Sequence, residues 1–190
     1  MWFGSAADLA EGASAFFTDA AAPLRNPDHK HLHSASIGFL WTNVSNAKKG
    51  RMVIGTAEPG APQGAMGKWG RAKATLQVTD WFGIVPDFII TLDANWWLQA
   101  SDAEAYALIE HELYHRAQDR DEYGAPKFNR QTGRPVFTMR GYDIEEFIGV
   151  VRHYGADAAG IRALIEAAEA EPEIAAVGIA QCCGTCRGAT

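Results

Sequence analysis

Apolar positions change their period several times along the 190-residue chain. Between residues 5 and 20 small and aromatic residues recur at roughly helical spacing, with Leu9, Phe16 and Phe17 as packing groups. Pro23 and Pro27 follow, which predicts a short docked helix. From Ser34 to Val44 the alternation of Ile37, Phe39 and Trp41 is taken up again by Met52 and Ile54, so two strands joined around Asn46 to Gly50 are expected. Residues 58–74 hold Pro59, Gly60, Pro62, Gly64, Gly67 and Gly70, the chemistry of a long loop placed to overhang a site. The run Phe88-Ile89-Ile90-Thr91-Leu92, bounded by Pro86-Asp87 and Asp93, predicts a strand buried on both faces.

Helical signals dominate the second half. Ser101 and Glu104, three apart, form a capping box that opens a helix running to about Asp119. Residues 126–139 predict a hairpin turning at Gln131-Thr132-Gly133. Asp143 and Glu146 make a second capping box, and Ile144, Phe147, Ile148 and Val151 give an i, i+3, i+4, i+7 stripe for a helix to about His153. Asp157 caps one further helix, through Ala170, which Pro172 stops.

Charge narrows the partners. With 17 Lys and Arg against 23 Asp and Glu the formal charge is −6, and no run of five basic residues occurs, which disfavours nucleic acid. No apolar stretch reaches the roughly 18 residues of a membrane span, and the first twenty residues carry Asp8, Glu11 and Asp19 in place of a basic signal region. A soluble intracellular protein is expected. Cys182, Cys183 and Cys186 are the only cysteines, so no disulfide framework spans the chain, and three ligands fall short of a closed zinc knuckle. They are expected to belong to a reduced, mobile tail.

The chemistry stands on the capped helix, in His111-Glu112-Leu113-Tyr114-His115. Residues four apart on a helix lie within about 40° of each other, so the two imidazoles can address one metal ion. Glu112 adjoins the first of them and can take the proton of an attacking water as general base. From 6 His and 12 Glu the accidental expectation of the HExxH pattern is roughly 0.01, so decoration of a solvated helix face explains it poorly.

A third ligand is needed if one coordination position is to stay open for water. Asp121 stands six residues after His115, where a metzincin would have its third His. The segment Arg140-Gly141-Tyr142-Asp143-Ile144-Glu145-Glu146-Phe147 is the best source. Asp143 and Glu146 are explained by the capping box, which ranks Glu145 first, Glu146 second and Asp143 behind them. His29, His31 and His33 are read as an extended, solvated lead-in, His153 as a helix C-terminal residue, and Trp96 and Trp97 as packing.

With these residues in hand the chain resembles the phage metallopeptidase family, a gluzincin-type branch of the zincin-like peptidases. The likeness runs from about His31 to Gly155 and is carried by the Asp87–Asp93 strand, Asn95-Trp96-Trp97, the HExxH helix and the Arg140–Phe147 segment. It implies an α+β zincin-like domain over residues 31–180, with a small mixed or antiparallel sheet packed on the HExxH helix, then a hairpin and a second metal-ligand helix. Residues 1–30 would be a helical extension and 181–190 a tail. It further implies zinc-dependent peptide hydrolysis encoded by a phage or prophage and acting in the host bacterial cytoplasm or in a virion. His111 and His115 would bind Zn2+ with Glu145 or Glu146, Glu112 would be the base, and Tyr114 and Tyr142 would contact substrate or transition state. Members of the family commonly carry a His before the Asp of the last motif; here Tyr142 stands there, so a carboxylate or Tyr142 takes that place. The strand Phe88–Leu92 is expected to be an edge that holds an extended peptide or protein substrate by strand addition. The competing expectation is a non-catalytic phage binding or assembly protein that keeps a structural metal. Neither needs nucleic acid or a membrane, and neither sets an oligomeric state.

Overall fold

The computed structural model describes residues 1–18, 26–48, 50–64, 66–144, 148–158 and 161–171, which together form an α+β fold. β1 (Phe3–Ser5) leads into α1 (Ala7–Ala13), which continues as one turn of π-helix over Ser14–Thr18. The docked N-terminal helix expected from the spacing is thus present, and it buries Ala13 and Phe17. A 3-10 helix follows, Pro27–Ser34, capped by the Asn26 side chain, which accepts the Asp28 N–H at 3.0 Å. His29, His31 and His33 therefore lie on a helix, not on the extended lead-in their alternation suggested. Proline at a first helical position has its φ already set and loses no hydrogen bond, and that outweighs the alternation.

β2 (Ile37–Thr42), β3 (Asn46–Lys48), β4 (Arg51–Val53), β5 (Gly55–Pro59), α2 (Lys68–Phe82) and β6 (Phe88–Asp93) come next. The expected pairing of β2 with the Met52 segment is not the one formed. β3 and β4 make their own small hairpin, while β2 pairs antiparallel with β1 and parallel with β6. β5 pairs antiparallel with β6, so the sheet order is β1-β2-β6-β5. β6 is an interior strand, and the edge beside the HExxH helix is β5. β6 is apolar on both faces, and both are covered, by the α4 core on one side of the sheet and by α2 on the other, which suits an interior strand.

One face of the sheet, through Phe39, Phe88, Ile90 and Leu92, packs on Leu108, Ile109 and Leu113. The other face, through Leu40 and Ile89, is covered by Val78, Trp81 and Phe82 of α2. Gly38 admits the Phe82 ring, because a Cβ there would stand 2.7 Å from it. α2 takes over the second half of the expected 58–74 loop, starting after Gly67. Only Val78 of α2 is buried, so no apolar stripe announces this helix.

α3 (Ala94–Trp97) is capped by Asp93, which accepts the Asn95 N–H at 2.8 Å. α4 (Asp102–Tyr114) opens with the expected capping box, in which Ser101 and Glu104 satisfy each other reciprocally. Its buried residues Ala105, Leu108, Ile109, Glu112 and Leu113 form an i, i+3, i+4, i+7, i+8 stripe with a carboxylate in it. α4 stops short of Asp119 because β7 (Arg116–Gln118) pairs with β8 (Phe137–Met139). The expected turn forms at Gln131-Thr132-Gly133, with Gly133 donating to the Asn129 carbonyl at 2.8 Å at a φ of 70°. α5 (Ile148–Ala158) continues past His153 through a kink at Gly155, and α6 (Arg162–Glu169) follows. Glu145, Glu146 and Phe147, and with them the second capping box, lie outside the described residues, as do Cys182, Cys183 and Cys186. Among the described residues no helix is long and apolar enough to cross a membrane.

Candidate functional site

α4 delivers His111 from its last turn and His115 from the residue that ends it, still in right-handed helical conformation. The two imidazoles meet edge to face, with centroids 5.0 Å apart at 78°. The ring of Tyr142 closes the group, 6.2 Å from His111 and 5.9 Å from His115. The structure thus brings together three of the residues singled out in the sequence.

Protonation follows from the surroundings. Burial, reinforced by the charge of His115, pulls the His111 pKa down to about 4. Burial likewise lowers that of His115, with the Arg140 carbonyl acting in the opposite sense. Both rings are neutral at pH 7, the state in which imidazole binds a metal. The Arg140 carbonyl lies 3.0 Å from His115 Nδ1 and can only accept, so Nδ1 carries the proton and the lone pair is on Nε2.

Glu112 is completely buried. Its carboxylate faces β5, where Oε1 lies 2.9 Å from the point a Cβ on Gly55 would occupy. One turn on, the Arg116 side chain is also buried, donating from Nη1 to the Glu112 carbonyl at 2.5 Å and lying 5.6 Å over the Phe88 ring. Burial lowers the Arg116 pKa to about 9 while the charge of Glu112 works to raise it, so the guanidinium is cationic at pH 7 beside a carboxylate. Arg116 was legible in retrospect: it extends the stripe of Leu108, Ile109 and Glu112 by one more i+4 step.

Tyr114, expected to contact substrate or transition state, is half-buried, and its hydroxyl accepts from Asn26 Nδ2 at 2.6 Å and donates to Asp28 at 3.1 Å. These bonds tie α4 to the 3-10 helix. The same helix presents His29, buried edge-on against Tyr114 at 4.6 Å with Nε2 3.8 Å from Glu110 Oε1, and His31, whose Nε2–H donates to the Arg116 carbonyl at 2.8 Å. His29 therefore packs on the HExxH helix, and His31 holds the first residue of β7 just beyond it. Nothing in their spacing revealed this. Trp97 packs on Trp41 at 5.0 Å, as expected of it.

Among the described residues no three His, Cys, Asp or Glu side chains gather as a metal site. Asp143, the described member of the third-ligand candidates, is largely exposed and ion-paired with Arg140. Glu145 and Glu146 lie outside the described residues.

Comparison with curated proteins and with solved structures finds no match. Residues 11–169, most of the chain, match the family described as "Putative phage metallopeptidase". That span contains the paired histidines, Glu112, β5 and the Arg140–Tyr142 segment. The chain belongs to this phage metallopeptidase family.

Proposed function

We propose that the protein is a zinc-dependent, zincin-like peptidase of phage or prophage origin, acting in the host cytoplasm or a virion. The observation that carries the reading is the pair of imidazoles at 5.0 Å, one of them oriented by a backbone carbonyl, with the buried carboxylate of Glu112 on the same helix between them. Two imidazole nitrogens and one carboxylate suit a borderline-soft divalent ion that keeps one position for water.

His111 and His115 would hold the ion, and Glu145, with Glu146 as the alternative, would complete the set. When bound, zinc supplies a water acidified towards a pKa of about 7 and polarises the scissile carbonyl. Glu112 accepts the proton of that water on a carboxylate oxygen and passes it to the departing amine. Arg116 keeps a positive charge beside Glu112 and favours its ionised form. Tyr142, whose ring lies edge-on near both imidazoles, would donate its phenolic proton to the substrate oxygen. β5, the edge strand against which Glu112 lies, takes over the peptide-binding role first expected of Phe88–Leu92, pairing its outer backbone with an extended substrate.

Metal analysis of the purified protein beside His111→Ala and His115→Ala tests the reading. About one zinc per chain is expected in the parent, as for a single site of this type, and much less in both variants. Equal metal in all three removes the site from α4.

A further inference from the structure

We infer that Arg140 is a positioning residue that sets the orientation of His115 and places Tyr142 over the paired imidazoles. The inference rests on the peptidase reading for its purpose, though not for its geometry. Arg140 and His115 grip each other twice. The Arg140 N–H donates to the His115 carbonyl at 2.8 Å, and His115 Nδ1–H donates to the Arg140 carbonyl at 3.0 Å. These bonds bring the backbone of Arg140 against the end of α4 immediately after β8.

The side chain adds what the backbone cannot. Its guanidinium lies 5.8 Å over the ring of Tyr114 and pairs with the carboxylate of Asp143. Tyr114 is itself held by Asn26 and Asp28, so the cation rests on a fixed platform. Residues 140 and 143 are thereby linked at the two ends of a four-residue span, and Tyr142, inside it, lies 6.2 and 5.9 Å from the two imidazoles. Gly141 brings no side chain to compete for that space. Without the guanidinium the contact with the Tyr114 ring and the pairing with Asp143 are lost, and the Arg140 carbonyl is held towards His115 by its backbone alone. Hydrogen-bond partners of this sort around a metal-binding His set its tautomer and aim. Lysine would keep the charge near Asp143 but not the broad guanidinium contact with the Tyr114 ring, so it is a graded test.

The experiment reads Arg140→Ala and Arg140→Lys beside the full-length parent. In the metal-free protein, NMR of the His115 imidazole should show a slowly exchanging Nδ1–H in the parent, fast exchange in Arg140→Ala and an intermediate rate in Arg140→Lys, with the circular dichroism of all three alike. Zinc affinity should fall roughly 10- to 100-fold in Arg140→Ala, the range for losing an outer partner of a ligand, and less in Arg140→Lys. An Arg140→Ala protein with parental Nδ1–H exchange and parental zinc affinity overturns the inference. If the parent itself takes up no zinc, the peptidase reading fails, and the imidazole exchange alone still decides the role of Arg140. Should Arg140→Ala not fold, Asp143→Asn, which removes an exposed partner of the same cation, is read in its place: faster exchange supports the inference and unchanged exchange overturns it.

Discussion

The carboxylate of Glu112 occupies the space that a side chain at Gly55 would need: Oε1 is 2.9 Å, and Leu108 Cδ1 3.0 Å, from the position of a Cβ there. β5 can run this close to α4 only because residue 55 is glycine. The closeness sets the distance between the proposed base and the edge on which a substrate strand would lie. Gly55→Ala should therefore displace Glu112 with little harm to the fold. Overpacking of this kind costs about 1–3 kcal/mol, and a 1 Å misplacement at a reacting group costs about 100-fold in rate. Peptide hydrolysis and the thermal midpoint measured together check it; a variant with parental activity would show that Glu112 has slack the geometry denies.

Stability should fall in acid because of His29. Burial first, and then the charge of His31, bring its pKa to about 4, with Arg116 and Arg140 acting in the same direction and Asp28 against them; Glu110 faces its Nε2. The unfolded chain, titrating near 6.5, then binds more protons than the folded one between pH 6.5 and 4. The contribution is complete above pH 6.5 and is lost as the pH falls to 4, on the order of 3 kcal/mol for this one group. His111 adds to the same window. Urea midpoints at pH 7 and pH 4.5 should differ markedly in the parent and less in His29→Asn. Equal pH dependence in the two proteins would contradict the assignment.

Glu145→Gln should lower zinc content, because two histidines alone hold the ion poorly. Glu146→Gln should leave it near the parental level. Metal analysis of the two variants side by side ranks them, and zinc retained in the first and lost in the second passes the role to Glu146.

What could be read from the chain and what could not divide along physical lines. α4 and β6 were legible because local signals agree there: the Ser101/Glu104 box, an unbroken apolar strand, and a motif whose spacing needs only a helix to become a site. The pairing of β2 was not legible. Ile37, Phe39 and Trp41 alternate equally well towards either neighbour, and β6 rather than the Met52 segment carries the apolar residues that both layers cover, Ile90 and Leu92 on the α4 face and Ile89 on the α2 face. α2 was hidden because it rests on the sheet through little more than its last turn. The Glu112–Gly55 approach and the Arg140–Tyr114 cation–ring contact join residues 57 and 26 positions apart, and no periodicity reports such pairs. Tyr142 was named from its place in the Arg140–Phe147 motif, and the structure sets it over both histidines.

The most direct test of the account is Glu112→Gln, assayed for zinc content and for cleavage of a peptide library beside the parent. The amide is nearly isosteric and Glu112 is not assigned as a ligand, so the account predicts an unchanged fold and undiminished zinc. Hydrolysis should fall by about 10²- to 10⁴-fold, the usual contribution of a general base. Loss of zinc from this variant would make Glu112 a ligand. A parent that cleaves nothing, while the variant binds every partner the parent binds, would make the protein a binding or assembly component that keeps its metal for structure.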